Sequence, residues 1–235
     1  NAAWGLMLDP PVELPRGTAE RPVWALASAI GGQLSYTIAK ETTGSNLDPY
    51  ERRTLPMPDV TLDAIVLRGL DRVIQRRAPQ AERVYMRLNP MQLDGVPAPE
   101  REKVALERLK VELAKMPERA SWERIVVLAP HYRAFEVRGL GTKLHGVGVY
   151  VQNLNNESEY DVVEPDGTPG AQRRSRFLSI YYFAMIYVLD AKSLAVLESQ
   201  PWLIDEKIHD SKSDAVNIQR MIPPDILSAR LETFV

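Results

Sequence analysis

Cysteine is missing from all 235 residues. Its absence removes thiol nucleophiles, disulfide staples and thiolate metal sites together. It fits a cytosolic chain, and equally an exported one that avoids wrong disulfides in an oxidising compartment. Histidine is scarce: an imidazole metal site would have to draw on His131, His145 and His209 alone. No His-Glu-x-x-His and no EF-hand loop occurs. Charge of one sign is lacking as well, since 29 basic residues face 31 acidic ones and the net charge is −2. Without a global positive field, nucleic acid is not an expected partner. No apolar run reaches the ~18 residues needed to cross a bilayer, so no transmembrane segment is expected. Neither the Walker pattern nor the dinucleotide fingerprint fits any stretch, and no cofactor is expected.

What is present reads as architecture. Hydrophobic residues make up 45% and charged residues 26%, the balance of an ordinary globular protein. A chain of this length buries roughly 70% of its unfolded surface, enough for a substantial core. From Phe177 to Leu189 both faces of the implied strand are apolar or aromatic. A half-exposed strand would alternate, so this one is expected in the middle of a sheet covered on both sides. It turns at Asp190-Ala191-Lys192-Ser193 and returns from Leu194 to Glu198 as a C-terminal hairpin. An N-terminal hairpin is expected where Val23–Ile30 and Gln33–Lys40 flank Gly31-Gly32, because paired glycines supply the positive φ of primed turns.

Between these hairpins the patterns alternate in type. Residues 41–58 read as a long polar loop. Asp59 is placed to cap a helix running to about Arg77, with Leu62, Ile65, Val66, Leu70, Val73 and Ile74 on one stripe. Arg83–Leu88 reads as a strand whose arginine face suggests a position near the sheet edge or a solvated face. A second helix follows Pro99, carrying Leu106, Leu109, Leu113 and Met116 and stopped by Pro117. Ile125–Ala129 is apolar on both faces, so 83–129 forms a right-handed βαβ crossover. Val147–Gln152 is a further strand, 153–175 a polar loop, and 210–235 helical in pieces around Pro223-Pro224. The expected fold is therefore α/β: a single domain with a mixed parallel and antiparallel sheet, helices on both faces and a hairpin at each end. Its domain spans 23–235. Residues 1–22 form an extended lead-in, since Pro10, Pro11, Pro15 and Pro22 oppose regular structure. Asn1-Ala2 looks like the remnant of a cleaved tag.

Candidate chemistry is sparse. Pro130-His131-Tyr132-Arg133 follows the central strand, and ligands of open α/β sheets bind beyond the carboxyl ends of parallel strands. There His131 would be the acid or base, with Tyr132 and Arg133 as ligand-binding groups. The stretch Gly139–Gly148, with Lys143 and His145, could cradle an anion in backbone amides, although a flexible loop feeding a strand is its plainer meaning. The idea requires 131–133 and 139–146 to converge. Ser28, Ser35, Thr42, Thr43 and Ser45 are the nucleophile candidates, and none stands in a hydrolase motif. Glu206 and His209 lie three apart, but a solvated acidic segment explains them as well. Arg173, Arg174 and Arg176 read as loop charges pairing locally.

The balance points to a non-enzymatic accessory or binding domain acting through protein contacts, with a protein partner or a homodimer formed through a sheet edge. Its hairpins and lack of catalytic signature are loosely similar to bacterial envelope accessory domains; a periplasmic or otherwise exported location is placed slightly ahead of a cytoplasmic one on length and context alone. The alternative is a small-molecule or anion-binding protein, or a hydrolase, with its site at His131-Tyr132-Arg133.

Overall fold

The protein is described from a computed structural model covering residues 21–39, 50–56, 62–137, 140–153, 168–169, 176–208 and 224–234. Its strands are Val23–Ser28 (β1), Gln33–Ala39 (β2), Tyr50–Pro56 (β3), Glu82–Arg87 (β4), Trp122–Pro130 (β5), Tyr132–Val137 (β6), Leu140–Asn153 (β7), Arg176–Asp190 (β8) and Val196–Ile208 (β9). Among the described residues three α-helices accompany them: Leu62–Arg77 (α1), Arg101–Ala114 (α2) and Pro224–Phe234 (α3). All nine strands join one sheet in the order β3-β2-β7-β8-β5-β1-β4, with β6 added on β7 and β9 on β8. Parallel pairing joins β1 to β4, β1 to β5 and β2 to β7; the remaining pairs are antiparallel. The α/β expectation with a mixed sheet therefore holds.

The long strand β8 is the spine. One of its edges pairs with β5 through Pro130↔Ala184 and then with β7 from Gly146↔Phe183 onward. The other edge carries β9. Strand β5 and the second half of β7 thus lie end to end along β8, and the β6–β7 ribbon projects between them. The next rail of the sheet repeats this arrangement. β1 runs alongside β5 and β2 alongside β7, in the same direction.

That geometry overturns the N-terminal hairpin expected at Gly31-Gly32. β1 and β2 do not pair; they are successive segments of one interrupted strand, and the hairpin partner of β2 is β3. The physical reason lies on α1. Asp63 accepts hydrogen bonds from the Ser28 hydroxyl at 2.5 Å and the Gly31 amide at 2.9 Å, which ties the link to the helix and bends the chain without reversing it. Gly31, at φ 88°, takes up that bend in the left-handed region that favours glycine. The expected loop at 41–58 is likewise corrected, since β3 occupies Tyr50–Pro56. Its charged sequence, YERRTLP, suits the terminal strand of a sheet, where a strong apolar alternation is not needed. The glycine-rich stretch, read as a flexible loop, is strand from Leu140 onward.

Helices cover both faces. Leu62, Ile65, Val66, Leu70 and Ile74 of α1, with Leu227 and Leu231 of α3, pack on Leu26, Val126, Val149, Ile180 and Tyr182. Each large aliphatic side chain buried there contributes roughly 1.5–3 kcal/mol of transfer free energy. On the opposite face Ala105, Leu106, Leu109 and Leu113 of α2 pack on Ala25, Ala27, Ile125 and Val127. The alternation Ala25-Leu26-Ala27 sends the small residues toward α2 and the large one toward α1, as the two-residue period of a strand demands. Strands β4 and β5 are parallel to β1 on either side of it and are joined through α2, as the βαβ reading expects. The arginine-bearing strand β4 does end the sheet, with Asp71 of α1 holding Arg83 at 2.6 Å and the Tyr85 hydroxyl at 2.7 Å.

Asp59, Thr42, Thr43, Ser45, Arg173, Arg174 and His209 lie outside the described residues, as do nearly all of the 1–22 lead-in and the 153–175 loop.

Candidate ligand-binding cleft

The carboxyl ends of β1, β4 and β5 all point to one end of their part of the sheet, where Ser28, Arg87 and Pro130 finish the strands. Beyond them the sheet breaks twice side by side: at Gly31-Gly32 between β1 and β2, and at His131–Gly146 where the ribbon leaves. A cleft of about 310 Å³ opens there. Gly31, Gly32 and Pro130 border it from the breaks, Ser35 and Thr37 from β2, Arg52 from β3, His145 from β7, Tyr181 from β8, and Arg101 from the first turn of α2. Strand register explains the convergence. Thr37 lies opposite Arg52, Ser35 opposite Gly148, and Gly148 opposite Tyr181, so these residues stand on one face of three neighbouring pairs.

Electrostatically the cleft is basic. Among its described lining residues Arg52, Arg53 and Arg101 stand against one acidic residue, Asp94. Arg53 donates to Glu51 at 2.6 Å. Arg101 is fixed by two contacts, Nε donating to the Val96 carbonyl at 2.8 Å and a terminal nitrogen 2.8 Å from His145 Nε2. A guanidinium only donates, so His145 Nε2 accepts and the imidazole is neutral, with its proton on Nδ1. Burial, then the charges of Arg101 and Arg52, push the His145 pKa down to about 4. Burial also holds the Tyr181 phenol well above the ordinary tyrosine range.

A second cluster sits beside the first. Glu102, the residue after Arg101, accepts from the Tyr187 hydroxyl at 2.5 Å through one oxygen and lies 2.6 Å from His131 Nδ1 through the other. Two consecutive residues of α2 thus grip the two ends of the ribbon excursion, Arg101 at His145 and Glu102 at His131. Burial, followed by the Glu102 contact, raises the Tyr187 pKa far above normal.

The structure places the residues expected from the sequence as follows. Ribbon pairing brings 131–133 and 143–145 together, with Tyr132 opposite His145, Arg133 opposite Leu144 and Lys143 opposite Ala134. His145 lines the cleft; His131, Tyr132 and Arg133 do not. His131 faces Glu102, Arg133 is exposed, and the Lys143 side chain lies outside those described. Because Gly141–Gly148 is strand, it offers no loop of amides to cradle an anion; at the cleft the Gly31 amide is donated to Asp63 and the Gly146 amide to the His131 carbonyl. Ser28 is buried against Asp63, and Glu206 is taken by Arg230 of α3 at 2.6 Å. No cluster of three metal-ligating side chains occurs among the described residues.

Arg52, Arg101, Tyr181, Asp63 and Glu102 were not singled out by motif. One signal existed for Tyr181: a hydroxyl inside a strand buried on both faces must find a partner or go without. For Arg101 and Glu102 the signal was two opposite charges in the first turn after Pro99, at the carboxyl end of a βα link. Comparison of the chain with protein-family models and with curated proteins finds no match.

Proposed function

We propose that the chain is a binding module for a small anionic ligand held in the cleft between the two breaks of the sheet. The observation that carries this reading is the convergence of Arg52 and Arg101 on a concave site whose described lining holds a single acidic residue. Arg101 is preorganised by Val96 and His145, so little side-chain freedom is lost on binding. Binding is favoured over turnover because the imidazole in the cleft is a weak base whose Nε2 is already engaged. The hydrolase alternative at His131 has less support, since that residue does not line the cleft.

Calorimetry at low salt with inorganic phosphate and with citrate tests this. Wild type is expected to bind at least one of them, more weakly as sodium chloride rises, and the Arg52→Ala, Arg101→Ala double variant is expected to lose the heat. A folded double variant that binds as wild type does overturns the reading. A further reading, an accessory domain acting through protein contact, is favoured by one feature. Val196 and Leu197, 43% and 53% exposed, begin strand β9, which among the described residues pairs with β8 alone. A doubled mass in light scattering that Leu197→Lys abolishes would support it, and a monomer that captures no partner would oppose it.

A further inference from the structure

Asp94 and Arg101 both line the cleft, and one tight turn fixes them. The turn is Leu93-Asp94-Gly95-Val96, closed by the Val96 amide donating to the Leu93 carbonyl at 3.2 Å. Gly95 stands at φ 73°, the left-handed value that the third place of a type II turn demands. The carbonyl of the same Val96 accepts from Arg101 Nε at 2.8 Å, so the turn and the start of α2 hold each other. Nothing in such a turn calls for a carboxylate at its second place, where proline is the usual preference.

The two charges do not neutralise each other. Among the described residues Asp94, an exposed side chain, has no hydrogen bond or ion pair. Arg101 gives Nε to Val96 and one terminal nitrogen to His145, and no described residue takes its other terminal nitrogen. That nitrogen carries two N–H donors. The cleft therefore presents an open carboxylate and an open edge of a guanidinium on one lining.

This combination restricts what the ligand is. A carboxylate in the lining repels a plain anion, and a ligand that brings a positive group of its own turns that repulsion into attraction. An ammonium, with N–H donors only, satisfies the carboxylate, and an oxyanion satisfies the guanidinium. At about 310 Å³ the cleft lies at the small end of ligand pockets. Resting on the anion-binding reading of the same cleft, we infer that its ligand is a small acidic amino acid, an anion that also carries an ammonium group. A carboxylate of the ligand is taken by Arg101 and its ammonium by Asp94.

Calorimetry of the full chain at low salt with two matched pairs tests this: L-aspartate against succinate, and L-glutamate against glutarate, each pair differing only in the ammonium group. Wild type is expected to prefer the amino member of at least one pair by roughly tenfold or more. Asp94→Asn is expected to erase that preference by weakening the amino acid, while the plain dicarboxylate binds as tightly as before or more tightly. Because Asp94 is exposed and the turn rests on Gly95, this variant should keep the wild-type urea midpoint. An equal loss for both members of a pair would mark Asp94 as a prop of the turn and overturn the inference. Equal binding within both pairs, a preference for the plain dicarboxylates, or an amino preference kept by Asp94→Asn overturns it too, while leaving anion binding in place. If none of the four binds wild type the inference fails, and phosphate and citrate decide the anion reading separately.

Discussion

Replacing Asp63 separates the two things its carboxylate does at the break between β1 and β2. It accepts from the Ser28 hydroxyl and the Gly31 amide in a site with almost no solvent access. Alanine would strand both donors, at about 1–3 kcal/mol each, so Asp63→Ala should cost about 2–6 kcal/mol. For a chain of this size that corresponds to a melting point lower by roughly 4–24 °C. Asparagine keeps an acceptor oxygen in the same place and should cost well under half as much. The pH dependence gives a second handle. Burial raises the Asp63 pKa above its ordinary value, against the opposing pull of Ser28, Gly31 and Arg87. A carboxyl with a raised folded pKa contributes stability that is complete below the unfolded value and is lost as pH rises through the folded one. Asp63→Asn should therefore gain on wild type as pH climbs from the acid side toward neutrality. Urea unfolding of the three proteins across that range is the assay. If Asp63→Asn is as damaged as Asp63→Ala, or if Asp63→Ala unfolds with the wild-type midpoint, the clamp does not hold the bend.

Two further outcomes follow from the same region. Gly148→Ala should lower stability by about 3 kcal/mol or more, because the new carbon would meet the Ser35 carbonyl oxygen at 2.3 Å and that contact is backbone; adding Tyr181→Phe should not restore the urea midpoint, and full rescue would show that only the hydroxyl was in the way. His145, with its pKa lowered from 6.5 to about 4, contributes stability that is present above the unfolded value and lost as pH falls through the folded one. The loss between neutrality and pH 4 should be roughly 3 kcal/mol at 1.36 kcal/mol per unit, and His145→Gln should lack it; superimposable pH profiles for the two proteins would contradict the burial of a neutral imidazole.

The parts of the fold that sequence patterns reveal are those where burial dictates residue type over a whole element. Strand β8 is apolar on both faces because it has neighbours on both edges and helices above and below. The stripes of α1 and α2 repeat at helical spacing for the same reason. Misreadings fall where one side chain decides the path. Gly31-Gly32 has the composition of a tight hairpin, and only the remote Asp63 makes it a bend. The charged residues of β3 resemble a loop because a terminal strand needs little apolar alternation. The glycines of β7 look flexible, yet Gly146, at φ 63°, marks the passage from ribbon to sheet and Gly148 makes room for a ring. The site follows the same rule. His145 was visible as one of three histidines, while Arg52, Arg101 and Tyr181 come from separate elements, and only register and packing bring them together.

The ribbon has a consequence for how this sheet could change. The chain leaves β8 opposite Ala184 and rejoins it opposite Phe183, so the excursion between Pro130 and Gly146 begins and ends at adjacent rungs. Its length is therefore not counted by the register of the sheet. Residues added in matched numbers to the two arms would extend the ribbon outward, at a closure cost that grows only slowly with length. A peptide tag or a small reporter domain grafted at its far end would sit on a stalk, anchored near the base by Arg101 and Glu102, with the spine and its helices undisturbed.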